Sequence, residues 1–248
     1  MSLIGLRVKR ETEDENKGVL QAILDRTKII EAEVDELVDI ADPYNGYARS
    51  LPSSPFLAAL LAESGVPAVS HGIETIAPKF GVTHSQILAA AGVSVNLPVE
   101  EMGKQISDPD IGWAYVDQSV FCPSLYALRG FRKRIVKRTA ISTSEVLTGP
   151  IRGRQKTHLL SGYVHNEYPP IYTMLARYSG FSSTLLLRGT EGGVTPSLHK
   201  RGVFVRYWED SKDMHVEADP TEIGIEGENR LVTILPALLP DKNRNFGP

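Results

Sequence analysis

The sequence predicts an α/β fold in which a mostly parallel central sheet is covered by helices. Short apolar segments rich in Val, Ile and Leu alternate along the chain with segments whose apolar residues recur at helical spacing. Such alternation is typical of parallel strands joined by crossover helices. With 248 residues, of which 42% are hydrophobic and 23% charged, the chain can bury a full core.

The strand candidates are short, and turn residues bound them. Those expected in the parallel sheet are residues 36–40, 66–69, 111–116, 158–164 and 184–187. Three later pieces are predicted to form a peripheral β elaboration: 203–208, 214–217 and 231–235. Residues 240–248 are predicted to be a frayed tail.

Helices are predicted between these strands. The candidates are residues 12 to about 30, 55–64, a helix after Thr83, 98–106, 123–133 and 170–178. Pro55 at the first helical position and Gly65 after the last turn frame the second of them. Its interior, residues 56–62, is apolar nearly all round, which predicts a helix buried on several sides.

Composition bounds the kind of protein this is. A single cysteine, Cys122, cannot form an intramolecular disulfide and is expected to be a buried small apolar residue. The longest apolar run, residues 56–62, is far shorter than the roughly 20 residues that a membrane span needs. We expect a soluble intracellular protein, cytoplasmic, or organellar if an upstream targeting segment precedes Met1.

A predicted ligand-binding edge follows the strand at residues 66–69. The polar turn after such a strand lies outside its carboxyl end, where open α/β sheets bind ligands. His71-Gly72 occupies this turn, and Lys79 and Gly81 come next, before a helix with a capping-box pattern at Thr83 and Gln86. The glycines would let the backbone approach an anion closely. The same spacing also fits a plain strand-loop-helix with a surface histidine.

A basic cluster lies between residues 129 and 156. It contains nine Lys and Arg residues and one acid, Glu145, although the net charge of the whole chain is −3. Such a local positive field favours phosphate or another anion, and a solvated helix face explains it equally well. The histidines of the second half, His158, His165, His199 and His215, lack metal-ligand spacing.

Several segments, taken together and in order, resemble the anthranilate phosphoribosyltransferase family. The first is Leu6 to Thr12, which is similar to the family's Leu-Arg-x-Lys-Gly-Glu-Thr stretch. The others are residues 66–72, 111–115, 131–133 with Arg138-Thr139, 148–150, 161–163 and 189–192. Because the matches span residues 4 to 225 in the family's order, chance does not explain them.

The resemblance implies a small helical domain, a large α/β domain, a substrate site between them and a homodimer formed through the helical part. Residues 1–33 are then a remnant of the helical domain, 34–240 the α/β glycosyltransferase-like domain and 241–248 a tail. Because the chain begins inside the family's helical domain, we expect that the domain is incomplete and leave dimerisation open.

The resemblance also implies a reaction and a donor. The family transfers a phosphoribosyl group from phosphoribosyl pyrophosphate, with magnesium, to the amine of anthranilate in tryptophan biosynthesis. Its Gly-Thr-Gly-Gly-Asp phosphate cradle is replaced here by residues 41–46, of which only Asn45-Gly46 resembles it. Its Lys-His-Gly-Asn-Arg becomes residues 70–74, so affinity for pyrophosphate should fall.

The family's magnesium-binding Asp-Glu pair is replaced by Val194 and Thr195. Neither can replace a carboxylate toward magnesium, so we expect the family's second metal site to be lost, while magnesium together with phosphoribosyl pyrophosphate stays open as a cofactor. Arg132 resembles the arginine that faces the aromatic acceptor, and we expect it to remain available to pair a carboxylate.

Two hypotheses follow. The first is a glycosyltransferase with an altered donor or acceptor, whose partner is a phosphorylated small molecule or an aromatic carboxylate. Its predicted binding residues are Asn45, Gly46, Ser53, Ser70, His71, Gly72, Lys79, Gly81 and Arg132. It requires that Asn45, His71, Lys79 and Arg132 converge on one anion pocket. The second is a non-catalytic relative that binds nucleic acid or another polyanion through the basic cluster.

Overall fold

The computed structural model describes residues 2–135, 137–198 and 201–225. The strands are β1 Ile30–Glu31, β2 Glu36–Ala41, β3 Ala68–Gly72, β4 Trp113–Asp117, β5 Ile151–Arg152, β6 Lys156–Tyr163, β7 Ser183–Arg188, β8 Gly202–Trp208 and β9 Met214–Ala218. The helices are α1 Ser2–Lys9, α2 Glu13–Leu24, α3 Leu57–Glu63, α4 His84–Ala90, α5 Val99–Ser107, α6 Gln118–Phe121, α7 Pro123–Tyr126, α8 Arg129–Ile135, α9 Ile141–Ser144 and α10 Tyr168–Tyr178.

The central sheet has seven strands in the order β4-β3-β2-β6-β7-β8-β9. The first five are parallel to one another, while β8 and β9 continue the sheet antiparallel from β7. The predicted mostly parallel α/β fold is therefore confirmed. The pieces expected to be peripheral, residues 203–208 and 214–217, belong to this same sheet, and residues 231–235 and 240–248 lie outside the described residues.

Local capping signals in the sequence define two of the helices well. Thr12 caps α2 and Thr83 caps α4, each in a capping box with the residue three positions later. Helix α2, predicted to run from residue 12 to about 30, ends at Leu24, because residues 25–27 turn the chain toward β1. The helix predicted over residues 123–133 is two short helices, α7 and α8, separated by a turn at residues 127–128.

The main core lies between the sheet and helices α2, α5 and α10. Leu37, Val69 and Leu159 from the strands meet Met102 of α5 and Leu175 of α10, and all five are at most 2% exposed. Burying side chains of this size stabilises the fold by about 1.5–3 kcal/mol each.

Helix α3 packs on the opposite face of the sheet. Ala58 is its only buried residue, in contact with a small cluster that includes Ile40 and Ala68. Leu60 is 62% exposed and Phe56, just before the helix, 44% exposed. The prediction of a helix buried on several sides is wrong, because the described residues supply a partner, the sheet, on one side only.

The amino-terminal helices are tied to the rest of the fold. Arg7 of α1 donates to the Tyr168 hydroxyl at 3.0 Å, and Tyr178 donates to the Gln21 side chain at 2.8 Å. The domain boundary at residue 33 stays a prediction. Among the described residues, no helix has the length and apolarity to cross a membrane.

Candidate functional site

A cavity of about 60 Å³ lies where the parallel strands β2 and β6 end. Ala41 at the end of β2 and the β6 residues Ser161 to Tyr163 form its floor, and the loop after β2 supplies Pro43, Tyr44 and Asn45. Its remaining wall includes Arg7, Arg132, Arg138, Glu145, His165, Tyr168, Tyr172 and Glu191. The cavity is thus at the carboxyl edge of the sheet, beside β2 and β6, whereas the sequence analysis placed the binding edge after the strand at residues 66–69, which is part of β3.

Arg132 is in the cavity wall, but its charge is already compensated. Its two terminal nitrogens donate to the two Glu145 oxygens, both at 2.6 Å, and one also reaches Ser142 at 3.2 Å. Both side chains of the ion pair are at least 95% buried. The expectation that Arg132 remains available for a carboxylate is wrong, because Glu145 provides that carboxylate from within the chain.

Arg138 is the cationic side chain of the cavity that lacks such a partner. It is exposed, and its guanidinium donates to the Asn45 side-chain oxygen at 3.0 and 3.2 Å when the amide takes the orientation that satisfies both groups. No Asp or Glu of the described segments comes within ion-pair distance of it. Arg7, by contrast, is paired with Glu11 at 3.2 Å and bonds Thr143 and Thr139.

His71 is buried in the core. The strand predicted to end at Val69 continues to Gly72, so Ser70, His71 and Gly72 are all inside the sheet. His71 is 1% exposed, with Nδ1 hydrogen-bonded to the Tyr44 hydroxyl and Nε2 to Asp39 Oδ1 at 2.9 Å. The prediction that this segment lines an anion pocket is wrong, because Asp39 and Tyr44 satisfy His71 internally.

Lys79 lies beside the cavity, in an ion pair. Its ammonium donates to Glu191 at 2.9 Å and to the Gly46 carbonyl at 2.7 Å. Burial lowers the pKa of Lys79, although Glu191 acts to raise it. Of the four side chains expected to converge, Asn45 and Arg132 line the cavity, Lys79 reaches it through Glu191, and His71 does not.

Gly46 and Gly81 lie where two loops pack against each other. Tyr47 and Val82 form an antiparallel bridge, and Gly46 has φ of +68°. A Cβ at Gly46 would lie 2.5 Å from the Val82 carbonyl oxygen, and one at Gly81 would lie 2.5 Å from that of Tyr47. These glycines allow the backbones of the two loops to approach each other closely. The sequence analysis expected them to let the backbone approach a ligand.

A buried network fills the region that follows β2. Asp42 lies with one carboxylate oxygen 3.0 Å from His84 Nε2 and accepts the Val194 N–H at 2.9 Å with the other, and Ser54 bonds His84 at 2.8 Å. Burial acts to raise the pKa of Asp42, but His84 and the Val194 N–H outweigh it, so that the pKa is lowered. The neighbouring Ser53 is exposed and outside the cavity wall, and its predicted binding role stays a prediction.

The residues present do not fit a magnesium site of the family's type. Val194 is buried with its N–H on Asp42, and Thr195 offers a backbone carbonyl to Thr190. Within the described ranges, no group of three or more His, Cys, Asp or Glu side chains could hold a metal ion. Of the four histidines of the second half, His199 lies outside those ranges.

The basic cluster of residues 129–156 does not form one patch. Arg132 and Arg152 are built into the protein, the latter bonded to backbone carbonyls of Thr148, Gly149 and Ser179. Arg154 and Lys156 pair with Glu33 and Glu209. The nucleic-acid hypothesis rested on a continuous field and gains no support from this arrangement.

The sequence-based prediction did not include Arg7, Arg138, Tyr168 or Glu191 among the binding residues. Arg7 and Arg138 could have been predicted from the sequence, since both lie in segments that carry the family resemblance. Glu191 also lies in such a segment, residues 189–192, whereas Tyr168 reaches the cavity from a helix that no local pattern connects with it.

Comparison with known proteins gives consistent relatives. No family model matches the chain. It is 30% identical to the anthranilate phosphoribosyltransferase of Saccharopolyspora erythraea over 190 residues, which cover 77% of this chain and 52% of the relative. It is 26% identical to an uncharacterized protein of Aquifex aeolicus over 224 residues, covering 90% of this chain and 65% of that protein.

Solved structures agree on the fold. Anthranilate phosphoribosyltransferase from Thermus thermophilus matches 90% of this chain and 64% of its own, with a TM-score of 0.72 and 21% identity. The Saccharomyces cerevisiae enzyme in complex with PRPP and Mg matches with a TM-score of 0.68 and 18% identity, over 90% of this chain and 60% of that chain. This chain therefore spans about half to two thirds of its relatives' length. The chain is therefore similar in sequence to anthranilate phosphoribosyltransferases over about half of their length, and it shares their fold.

Proposed function

We propose that the chain is a phosphoribosyltransferase with an altered donor site, which recognises the carboxylate or phosphate group of a small molecule through Arg138. The single observation that carries this proposal is the uncompensated guanidinium in the cavity wall. Arg132 has Glu145, Arg7 has Glu11 and Lys79 has Glu191. Among the residues that the structure describes, an anionic ligand therefore finds in the cavity the guanidinium of Arg138 without an acidic partner, and a guanidinium can hold an anion with two parallel hydrogen bonds.

The wall of the cavity supports an anionic group beside Arg138 as its occupant. The tyrosines of the wall, Tyr44, Tyr168 and Tyr172, surround that position with apolar rings, which suits an aromatic or sugar ring attached to the anion.

The names of the relatives support the reaction class, and the chain's own residues support the altered donor site. Val194 and Thr195 offer no carboxylate to magnesium, and Asp42 and Glu191 are engaged with partners of this chain. We therefore propose that binding of phosphoribosyl pyrophosphate, the family's donor, does not require magnesium here.

Calorimetric titration of the protein with phosphoribosyl pyrophosphate, with and without magnesium, tests the proposal. A parallel titration uses anthranilate, and product formation is followed with both substrates present. We expect binding of at least one of the two, equal with and without magnesium. Binding of neither ligand would show that the proposed function is wrong.

A matched pair of variants tests the role of Arg138. Loss of a charge-assisted hydrogen bond costs about 1.5–3 kcal/mol, so Arg138→Gln should weaken binding by about tenfold or more. Arg134→Gln removes the same charge from an exposed residue that is not in the cavity wall. Equal weakening by both variants would mean that only the general field of the segment matters.

A further inference from the structure

The Glu191 carboxylate lies among four donors from the loop after β2 and from Lys79. The backbone N–H of Ala48 is 3.1 Å from both carboxylate oxygens, and that of Arg49 is 2.7 Å from Oε1. The Ser50 hydroxyl donates at 3.3 Å and the Lys79 ammonium at 2.9 Å. Two consecutive N–H groups, a hydroxyl and an ammonium around one anion are the arrangement by which proteins bind oxyanions.

The backbone holds Glu191 in place at a cost. Its φ of +53° and ψ of +16° are in the left-handed region, which disfavours a side chain by roughly 1–2 kcal/mol. The turn itself is fixed independently of this side chain. Thr190 donates its N–H to the Thr195 carbonyl at 2.8 Å, and Asp42 accepts the Val194 N–H. The carboxylate is therefore carried into the donor group by a turn that does not depend on it.

The donor group adjoins the proposed ligand cavity. Glu191 lines the cavity on one side and contacts Lys79 on the other. The Glu191 side chain is 9% exposed and that of Lys79 is 21% exposed, so the pair is partly shielded from solvent. The donor bonds also outweigh the effect of burial and lower the pKa of Glu191, so the carboxylate is ionised at neutral pH.

We infer that Ala48 N–H, Arg49 N–H, Ser50 Oγ and Lys79 Nζ form an oxyanion site that Glu191 occupies as an internal ligand. A phosphate group competes with the carboxylate for the same donors. This inference rests on the proposed function in one respect, that the ligand of the adjoining cavity carries the phosphate. It adds that affinity for this phosphate is limited by the chain's own carboxylate.

Inorganic phosphate is the probe that tests the site without a complete substrate. Glu191→Gly removes the carboxylate and also relieves the left-handed backbone, since glycine adopts positive φ freely. We expect this variant to bind phosphate at least about tenfold more tightly than the unaltered protein. A tenfold change in affinity corresponds to the free energy of about one charge-assisted hydrogen bond. Adding Lys79→Met to it should abolish the gain.

Two further variants separate the effect of the Glu191 charge from an unspecific effect of removing a carboxylate. Glu191→Gln keeps the size of the side chain, and we expect an intermediate gain because the amide competes without a charge. Glu74→Gln makes the same chemical change at an exposed residue outside these contacts and should leave phosphate binding unchanged.

The result that overturns the inference is no gain in phosphate binding by either folded Glu191 variant, with folding checked by thermal denaturation. The titrations with phosphoribosyl pyrophosphate and anthranilate are separate. If Glu191→Gly gains phosphate binding while neither ligand binds, the oxyanion site stands and the proposed function fails. If phosphoribosyl pyrophosphate or anthranilate binds and Glu191→Gly gains no phosphate binding, the proposed function stands and the oxyanion site fails.

Discussion

Arg132 and Glu145 form a two-pronged ion pair inside the cavity wall, with both nitrogen–oxygen distances at 2.6 Å. The pair joins α8 to the turn at residues 145–147, and Gln118 donates to the same Glu145 carboxylate at 3.2 Å. Because both charges are out of water, each depends on the other. The pair therefore builds the wall of the cavity and leaves Arg132 no free charge for a ligand, in agreement with the proposed role of Arg138.

Glu145→Gln should destabilise the protein strongly. The substitution keeps the shape of the side chain but leaves the Arg132 guanidinium buried without a countercharge, for which a cost of about 3–5 kcal/mol is typical. Denaturant unfolding measures the change. Glu101→Gln breaks an exposed pair with Lys104, for which about 0–1 kcal/mol is typical. A similar loss in both variants would mean that the Arg132–Glu145 pair is no more important than a surface contact.

The parts of this molecule that the sequence predicts well are those fixed by neighbouring residues. The capping box of Thr83 and Gln86 and the alternation of strands and helices are local, and the structure confirms both. Contacts between distant residues explain the failures. His71 is satisfied by Asp39 on the adjacent strand, and a sequence pattern shows only a polar residue after an apolar run.

Charge patterns were misleading for the same reason. Glu145 was the single acid in a basic segment, and its distance of thirteen residues from Arg132 gave no sign that the two side chains form a pair. Nor does the sequence show that Glu191 returns to the loop at residues 48–50, over 140 positions away. The carboxyl side of the sheet follows from the fold class, whereas neither the strands that border the cavity nor the charges that remain free there could be read from the sequence.

Gly162→Ala should destabilise the fold where β6 reaches the cavity. A Cβ at this position would lie 2.1 Å from the Gly193 carbonyl oxygen and 2.4 Å from that of Gly192, both of them backbone atoms. The turn after β7 would have to move, and overpacking of this kind costs about 1–3 kcal/mol. Thermal denaturation measures the change.

Gly18→Ala is the matched control for Gly162→Ala. Gly18 is exposed within α2, and nothing lies within 4 Å of a Cβ there. Alanine favours a helix over glycine by about 1 kcal/mol, so this variant should be more stable. Changes of the same sign at the two glycines would refute the packing argument.

Asp42→Asn should destabilise the protein at neutral pH and lose its effect in acid. The pKa of Asp42 is lower in the folded protein than its usual value of 3.8, because His84, the Val194 N–H and Tyr47 outweigh burial. Such a carboxyl stabilises the fold above its unfolded pKa, and the contribution is lost as the pH falls through the folded pKa. Unfolding free energies of the two proteins should converge below about pH 4. A gap that stays constant down to pH 3 would contradict this reading of the network.

Asp117→Asn should have the opposite sign. Burial raises the pKa of Asp117 above its usual value, with a further contribution from Glu74, and outweighs the hydrogen bonds from Ser119. A carboxyl whose folded pKa is raised destabilises the fold when it is ionised, so the penalty is present at neutral pH and disappears below the unfolded pKa. Asparagine can still accept the Ser119 N–H that Asp117 accepts at 2.9 Å, and so can cap α6. We therefore expect the variant to be more stable at pH 7 and equal to the unaltered protein near pH 3, as measured by denaturant unfolding at each pH. A less stable variant at pH 7 would show that the ionised carboxylate is worth more as a cap than its burial costs.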